Sequence, residues 1–471
     1  MKRKLTKFED FTSWVLPLEA DFLTFHQKME DVEKIDVLQK IVSQAKNRDT
    51  FEVFDPAIDK RKYSYVKGWC QQLLHGLDVD HILEKLLFLE NQIMTDNLST
   101  KDDKELLKLF TKTEPSNFNF LKIYEIGRFY RHYLQIRLRY KDYQIVHLFL
   151  TKFRTDYEFS RLVNDKLHET TNEIITDYSQ KSSITSSEST PWLSSLFYNE
   201  SLDGYNRLLA WIRLVFIAHN QRNYNLLKEM FPYFETLVAS GKLYSRRIIT
   251  NFYSQYLLYF ASFRDFSKAA YYGYLSIKEK NNDYIYYVNN LSAVLLRDGR
   301  PEEALAIIKE SSQFAKESPN FHNRIGHVAY HIFALIDVSK SKQAENHAFV
   351  FLNAFRKEIL EHRWHLFFTA YIKAMLLNKN FSDILKVYSH YKLRERDVKY
   401  QESANYSASL PWMHHIALYK QGEISRIELK DFIKNLMATK PKFIYTNITQ
   451  EDLMWLTKTV LKTDFIKLEL D

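Results

Sequence analysis

The chain has 471 residues, enough for two or three ordinary domains or for one continuous array. Its 45% hydrophobic and 26% charged residues suit a well-buried soluble protein, and only 9 Gly and 9 Pro leave little room for turn-rich β architecture. The formal charge of +8 is the difference between 66 basic and 58 acidic residues, a mixed surface rather than a nucleic-acid-binding composition. The single cysteine, Cys70, excludes an intramolecular disulfide and suits a reducing compartment. Met1-Lys2-Arg3-Lys4 could begin a signal peptide, but Lys7, Glu9 and Asp10 fall where its apolar core would have to be. No apolar run approaches the roughly 18–20 residues that span a bilayer, and the best, Leu208 to Ala218, is broken by Arg213. The expected location is cytoplasmic, with no membrane partner.

Residues 1–177 read as an irregular helical lobe. Leu83, Leu86, Leu87, Leu89 and Ile93 have helical periodicity. Residues 117–140 predict a longer helix with Phe129, Tyr133, Ile136 and Tyr140 as its apolar face. Asp142-Tyr143 then turns the chain into a second helix ending near Asp156, a possible repeat unit at 127–155. The first hundred residues are either degenerate units or a separate cap. From Tyr178 to Pro191 Ser and Thr dominate, and this stretch is expected to be a mobile linker that buries almost nothing. Residues 192–471 follow as a second lobe.

A short punctuation mark recurs along the chain: a basic or small residue, then Asn or Asp, then Tyr or Phe. It reads Lys141-Asp142-Tyr143, Arg222-Asn223-Tyr224, Arg264-Asp265-Phe266 and Lys379-Asn380-Phe381. Gly299-Arg300-Pro301 and Lys340-Ser341-Lys342 hold the intervening places in weaker form. The third members are separated by 81, 42, 35, 41 and 39 residues. Such a period, with helical patterns on both sides of each mark, predicts stacked helix–turn–helix units. Each unit cannot bury its own apolar face, so the units must stack.

The units resemble tetratricopeptide repeats over roughly 200–390, and more weakly over 127–155. Trp211, Leu214, Tyr224 and Phe231 take that family's places in one unit, with Val215 and Leu227 where small residues are usual. The next has Tyr253, Tyr256, Phe260, Phe266 and Ala269, with Gly273 where an aromatic is usual. The best match contains Leu291-Ser292, Leu295, Gly299, Ala304, Ile308 and Ser311. Gly299 can close a helix in the left-handed conformation, Pro301 suits a first turn, and Glu302-Glu303 complement the dipole there. Ala344, then Phe368, Tyr371 and Tyr388, mark two further units. Periods of 39 to 42 exceed the family's usual 34, implying longer helices or loops. The resemblance implies an all-α, right-handed superhelix of antiparallel helix pairs.

Beyond Tyr391, KLRERDVKYQ is expected to be a solvated stretch. Pro411 starts a helix that Gly422 and Ser425 punctuate before Ile427 to Met437. Thr449 with Asp452 predicts a cap for Leu453 to Leu461, a helix that closes the array.

No phosphate-binding glycine loop, Gly-x-Ser-x-Gly elbow, His-Glu-x-x-His, calcium loop or cysteine pair occurs. His327 and His331 lie four apart at metal-ligand spacing on a helix. His362, His365, His322 and His347 are near in sequence, but among 16 histidines some must fall at such spacing, so no metal or cofactor is assigned. Arg128, Arg131 and Arg139, interleaved with Tyr130 and Tyr140, form a candidate nucleic-acid-binding face. The simpler account makes those arginines the solvated side of an amphipathic helix, and nucleic acid is disfavoured.

The expected function is a non-catalytic scaffold or adaptor holding a partner peptide or helix in a concave groove. Tyr286, Asn289, Asn290, Arg297, Tyr330 and Lys373 are the groove candidates. Asn290 before Leu291 matches a position that the resembled family uses to bind a partner's backbone, with Asn289 in support. Alternative readings are a peptide- or protein-sensing regulator acting on a nucleic-acid-binding partner, and a metal-dependent enzyme.

Overall fold

A computed structural model describes residues 6–47, 52–180, 184–401, 406–438, 449–466 and 468. They form 27 α-helices, and no strand occurs among the described residues. The chain divides into two compact units, 1–249 and 250–471.

The first unit begins with α1 (Thr6–Trp14), α2 (Pro17–Phe25), α3 (Val32–Lys46), α4 (Lys60–Leu77), α5 (Val79–Met94) and α6 (Thr100–Lys112). Asp31, Asp59, Asp78 and Ser99 cap α3, α4, α5 and α6 by accepting bonds from first-turn N–H groups. Then come α7 (Phe120–Ile136), α8 (Tyr140–Lys152), α9 (Arg154–Gln180), α10 (Ile184–Tyr198), α11 (Gly204–Gln221) and α12 (Tyr224–Ala239). Of the stretch expected to be a linker, 178–180 end α9 and 184–191 begin α10, which packs on both α9 and α11, while 181–183 lie outside the described residues. The single helix expected over 117–140 is two elements, with Tyr140 starting α8.

The face of α7 also differs from expectation. Phe129, Ile136 and Tyr140 are 41%, 78% and 65% exposed, while Ile123, Ile126, Tyr130 and Leu134 are buried. Gly127 suits this rotation, because a Cβ there would lie 3.1 Å from Phe110 and 3.2 Å from Leu150. A side chain there would need the ends of the Phe110 and Leu150 side chains to give way by a few tenths of an ångström.

The second unit consists of five helix pairs. They are α13 (Arg246–Ser262, its first residues in the first unit) with α14 (Phe266–Ser276), then α15 (Tyr284–Arg297) with α16 (Pro301–Glu310). A short α17 (Ser312–Glu317) precedes the third pair, α18 (Phe321–Asp337) and α19 (Ser341–Ala354). Another short helix, α20 (Arg356–His362), precedes α21 (Trp364–Leu377) and α22 (Phe381–His390). The last pair, α24 (Ser409–Gln421) and α25 (Arg426–Ala438), follows α23 (Leu393–Tyr400). The chain then returns as α26 (Gln450–Leu461) and α27 (Thr463–Ile466). From α15 to α24, each first helix packs on its own second helix and on the next first helix. Each second helix from α14 to α22 packs on the first helix that follows.

The recurring sequence mark is a helix stop of one geometry. Arg222, Arg264, Gly299, Ser339, Lys379 and Gly422 all have positive φ. The residue after each donates to a carbonyl five positions back, as in Asn223 N to Ala218 O at 2.8 Å and Lys340 N to Leu335 O at 2.7 Å. This is the Schellman closure, in which one left-handed residue satisfies the last carbonyls of the helix. Leu138 does the same between α7 and α8, three residues before the mark expected at 141–143. The mark near 340 is likewise shifted by one residue, to Ser339-Lys340-Ser341.

The unequal period has a structural cause. From Arg264 to Gly299 the second helix leads directly into the next pair, and the interval is 35 residues. The intervals of 40 residues, Gly299 to Ser339 and Ser339 to Lys379, contain α17 and α20. The KLRERDVKYQ stretch, expected to be solvated, likewise holds α23, with Leu393 and Asp397 buried. At the crossings, Ala269, Ala304 and Ala344 are fully buried at the fourth position of their helices. Gly273 is tighter still: an added Cβ would lie 2.7 Å from both Leu257 and Leu291.

Candidate functional site

The first helices of the second unit present one line of side chains each to a common surface. On α15, Tyr286, Asn290, Ala293 and Arg297 recur at the spacing of a single helical face. On α18 the corresponding line is Tyr330, Phe333 and Asp337, and α21 adds Lys373. With Ala261, Arg264 and Phe266 of the first pair, Arg297, Tyr330, Phe333, Asp337 and Lys373 wall a cavity of about 540 Å³. Ala293 and Leu296 complete the α15 side, and the remaining wall is Thr449, Glu451, Asp452 and Trp455, from the start of α26.

Helix α26 reaches this place by an apolar anchor. Leu453, Leu456, Thr457 and Leu461 are at most 2% exposed, and α26 packs on α21 and α24. Trp412 Nε1 donates to Thr457 Oγ1 at 2.9 Å, which fixes the register. At its start, Asp452 N donates to Thr449 Oγ1 at 3.1 Å while Thr449 N donates to the Asp452 carboxylate at 2.7 Å. The expected capping box is present. The opposite side of the helix leaves Glu451, Asp452 and Trp455 exposed toward the cavity.

The charges of the cavity are mixed by origin. The pairs supply three cations, Arg264, Arg297 and Lys373, against one anion, Asp337, while α26 adds Glu451 and Asp452. Lys373 Nζ lies 3.5 Å from the Asp337 carboxylate and 5.5 Å from the centre of the Phe333 ring. Burial pushes the Asp337 carboxyl up, and Lys373 partly offsets this. Burial also pulls the Arg297 guanidinium down, against a favourable contribution from Asp452. Glu451 is held below the usual carboxylate range by its own backbone N–H, then by Thr449, with Arg264 adding a smaller effect.

Of the six expected groove residues, Arg297, Tyr330 and Lys373 line the cavity, and Tyr286 and Asn290 lie on the same face of α15 farther toward its start. Asn290 Nδ2 donates to Ser254 Oγ at 3.4 Å. Asn289 is elsewhere: it is 2% exposed, and its Nδ2 donates to the Asn323 carbonyl at 2.9 Å. It therefore ties α15 to α18 and does not face a partner. Tyr330 and Lys373 are 5% and 8% exposed, so they form the floor of the groove rather than projecting from it. Sequence reasoning missed Arg264, which it read only as punctuation, and Glu451, Asp452 and Trp455, which it read only as a terminal helix.

In the first unit, Arg128 is exposed and Arg131 half-buried on α7. Arg139 does not form a face with them. Its guanidinium donates to both Asp103 carboxylate oxygens at 2.7 Å and to Asp142 at 2.6 and 2.9 Å. Arg139 is thus the clamp between α6 and the start of α8, and Tyr130 of α7 donates to the same Asp103.

The histidines disperse. His327 Nε2 lies 3.0 Å from Ser311 Oγ, and the His331 and His347 rings meet edge to face at 4.6 Å. His365 Nε2 lies 3.1 Å from the Ser407 carbonyl. Among the described residues no group of three or more His, Cys, Asp or Glu side chains is placed to hold a metal ion. Nor is any helix among them long and apolar enough to cross a membrane. No family model, curated protein or solved structure matches the chain.

Proposed function

We propose that the second unit is a tetratricopeptide-like array, its helix pairs stacked as a right-handed superhelix, and that it serves as a non-catalytic cytoplasmic adaptor. Its first-helix face holds an acidic segment of a partner protein. The observation that carries this reading is the excess of cations that the first pairs contribute to the groove, Arg264, Arg297 and Lys373 against Asp337, beside Tyr330 and Phe333. Arginine and aromatic side chains concentrate binding energy at protein interfaces. Opposite charge on the partner then sets encounter rate and register. The successive first helices offer a continuous surface of the kind that stacked helical repeats use for extended ligands.

The test is comparative affinity purification with the unmodified chain, the double reversal Arg264→Glu/Arg297→Glu, and a control reversal, Arg128→Glu/Arg131→Glu, all three checked for equal melting. Proteins recovered by the unmodified chain and the control but lost from the groove variant support the reading. Loss from the α7 variant alone would move the site to the first unit and overturn it.

A further inference from the structure

We propose that α26 is a built-in occupant of the groove, whose acidic first turn stands where the acidic segment of a partner binds. This rests on the reading of the groove as a peptide site and names the chemistry of its ligand. A partner would present a helix start with a hydroxyl cap, adjacent carboxylates and a flat aromatic one turn on.

Three independent features support it. The first is the path of the chain. The pairs succeed one another in chain order, but α26 comes after the last pair, packs back on α21 and α24, and brings its start to a cavity walled by residues of the first four pairs. The second is the division of the helix into two faces. Leu453, Leu456 and Leu461 anchor it, whereas Glu451, Asp452 and Trp455 play no part in that anchor and border the cavity.

The third is charge. Without α26 the cavity wall has three cations against one anion; with Glu451 and Asp452 the two signs balance. A helix start carries partial positive charge of its own, so it is a poor neighbour for Arg264 and Arg297. The two carboxylates reverse that sign. A helix start lacking them would be repelled from this groove, and a partner segment carrying them would compete for the same guanidinium groups.

The experiment uses the full chain and a labelled synthetic peptide of residues 449–461 as the probe. Binding is measured by fluorescence anisotropy to the unmodified chain, to Glu451→Lys/Asp452→Lys, and to that variant with Arg264→Glu/Arg297→Glu added. The apolar anchor is intact in all three; because Asp452 also closes the capping box with Thr449, equal melting is required of the two variants, and Glu451→Lys alone, which keeps the box, is measured beside them. The acidic-turn variant should bind the probe about tenfold or more tightly than the unmodified chain, on the scale of close charge pairs at interfaces. Adding the arginine reversals should abolish that gain. Equal affinity for the unmodified chain and the acidic-turn variant, still lost on arginine reversal, would overturn the built-in occupant and leave the groove reading standing. Absence of binding to all three, or binding indifferent to the arginine reversals, would overturn both.

Discussion

Lys373 Nζ stands 3.5 Å from the Asp337 carboxylate, so α21 reaches across to α18 at the floor of the groove. The lysine is nearly buried and the aspartate about a third exposed, so neither charge is fully hydrated. Lys373→Met should lower stability by about 1–2 kcal/mol at neutral pH, because it leaves Asp337 partly desolvated without its counter-charge. Lys373→Met combined with Asp337→Leu should recover most of the loss. Urea denaturation of the two variants checks this, and a double variant less stable than the single would refute it.

The Schellman stops predict opposite effects at equivalent positions. Lys379 has φ +64° and is exposed, so Lys379→Gly should stabilise the unit by about 1 kcal/mol by relieving left-handed strain. Gly299 has φ +71° with nothing within 4 Å of an added Cβ, so Gly299→Ala should cost about 1 kcal/mol through backbone strain alone. Midpoint shifts of the same sign in both would contradict the common geometry.

Ala304 is fully buried where α16 meets α15 and α18. Ala304→Leu should overpack this crossing and cost roughly 1–3 kcal/mol. Glu302→Ala, on the exposed side of the same helix, should change stability by less than about 0.5 kcal/mol. Similar losses from the two substitutions would show that the crossing tolerates bulk.

Stability should fall on mild acidification. Burial brings the His327 and His365 rings down to about 4, and His331 down to about 3, from an ordinary value of 6.5. Between 6.5 and 4 the unfolded chain binds protons that the folded one excludes. The stabilisation is therefore complete above pH 6.5 and is lost progressively below it. The urea midpoint should drop from pH 7.5 to pH 5, and His327→Gln should make that drop shallower. A midpoint that rises toward pH 5 would overturn the assignment of these rings as buried and neutral.

The helical class and the places where helices stop were legible because both are local. Few Gly and Pro, helical apolar spacing and the recurrent basic–Asn/Asp–aromatic mark all report on φ, ψ and capping within a few residues. Even so, the marks at 141–143 and 340–342 were displaced by three residues and by one. Leu138 and Ser339 carry no side-chain signal for the left-handed conformation they adopt. Arg297, Tyr330 and Lys373, which line the cavity, were likewise readable, since they follow from helical faces in register.

What only tertiary structure decided is which of two competing faces a helix buries, and which distant segments meet. On α7 the sequence offers Phe129, Tyr133 and Ile136 or Ile123, Ile126, Tyr130 and Leu134. Phe110 and Leu150 select the second by closing on Gly127. Arg139 reads as a free cation until Asp103, 36 residues away, comes within 2.7 Å. The acidic start of α26 reads as a terminal cap until the chain folds back and sets it in the wall of a cavity that begins at Ala261. Periodicity fixes the face of a helix relative to itself. The neighbour that covers that face is chosen by burial summed over the whole unit, and no local pattern carries that information.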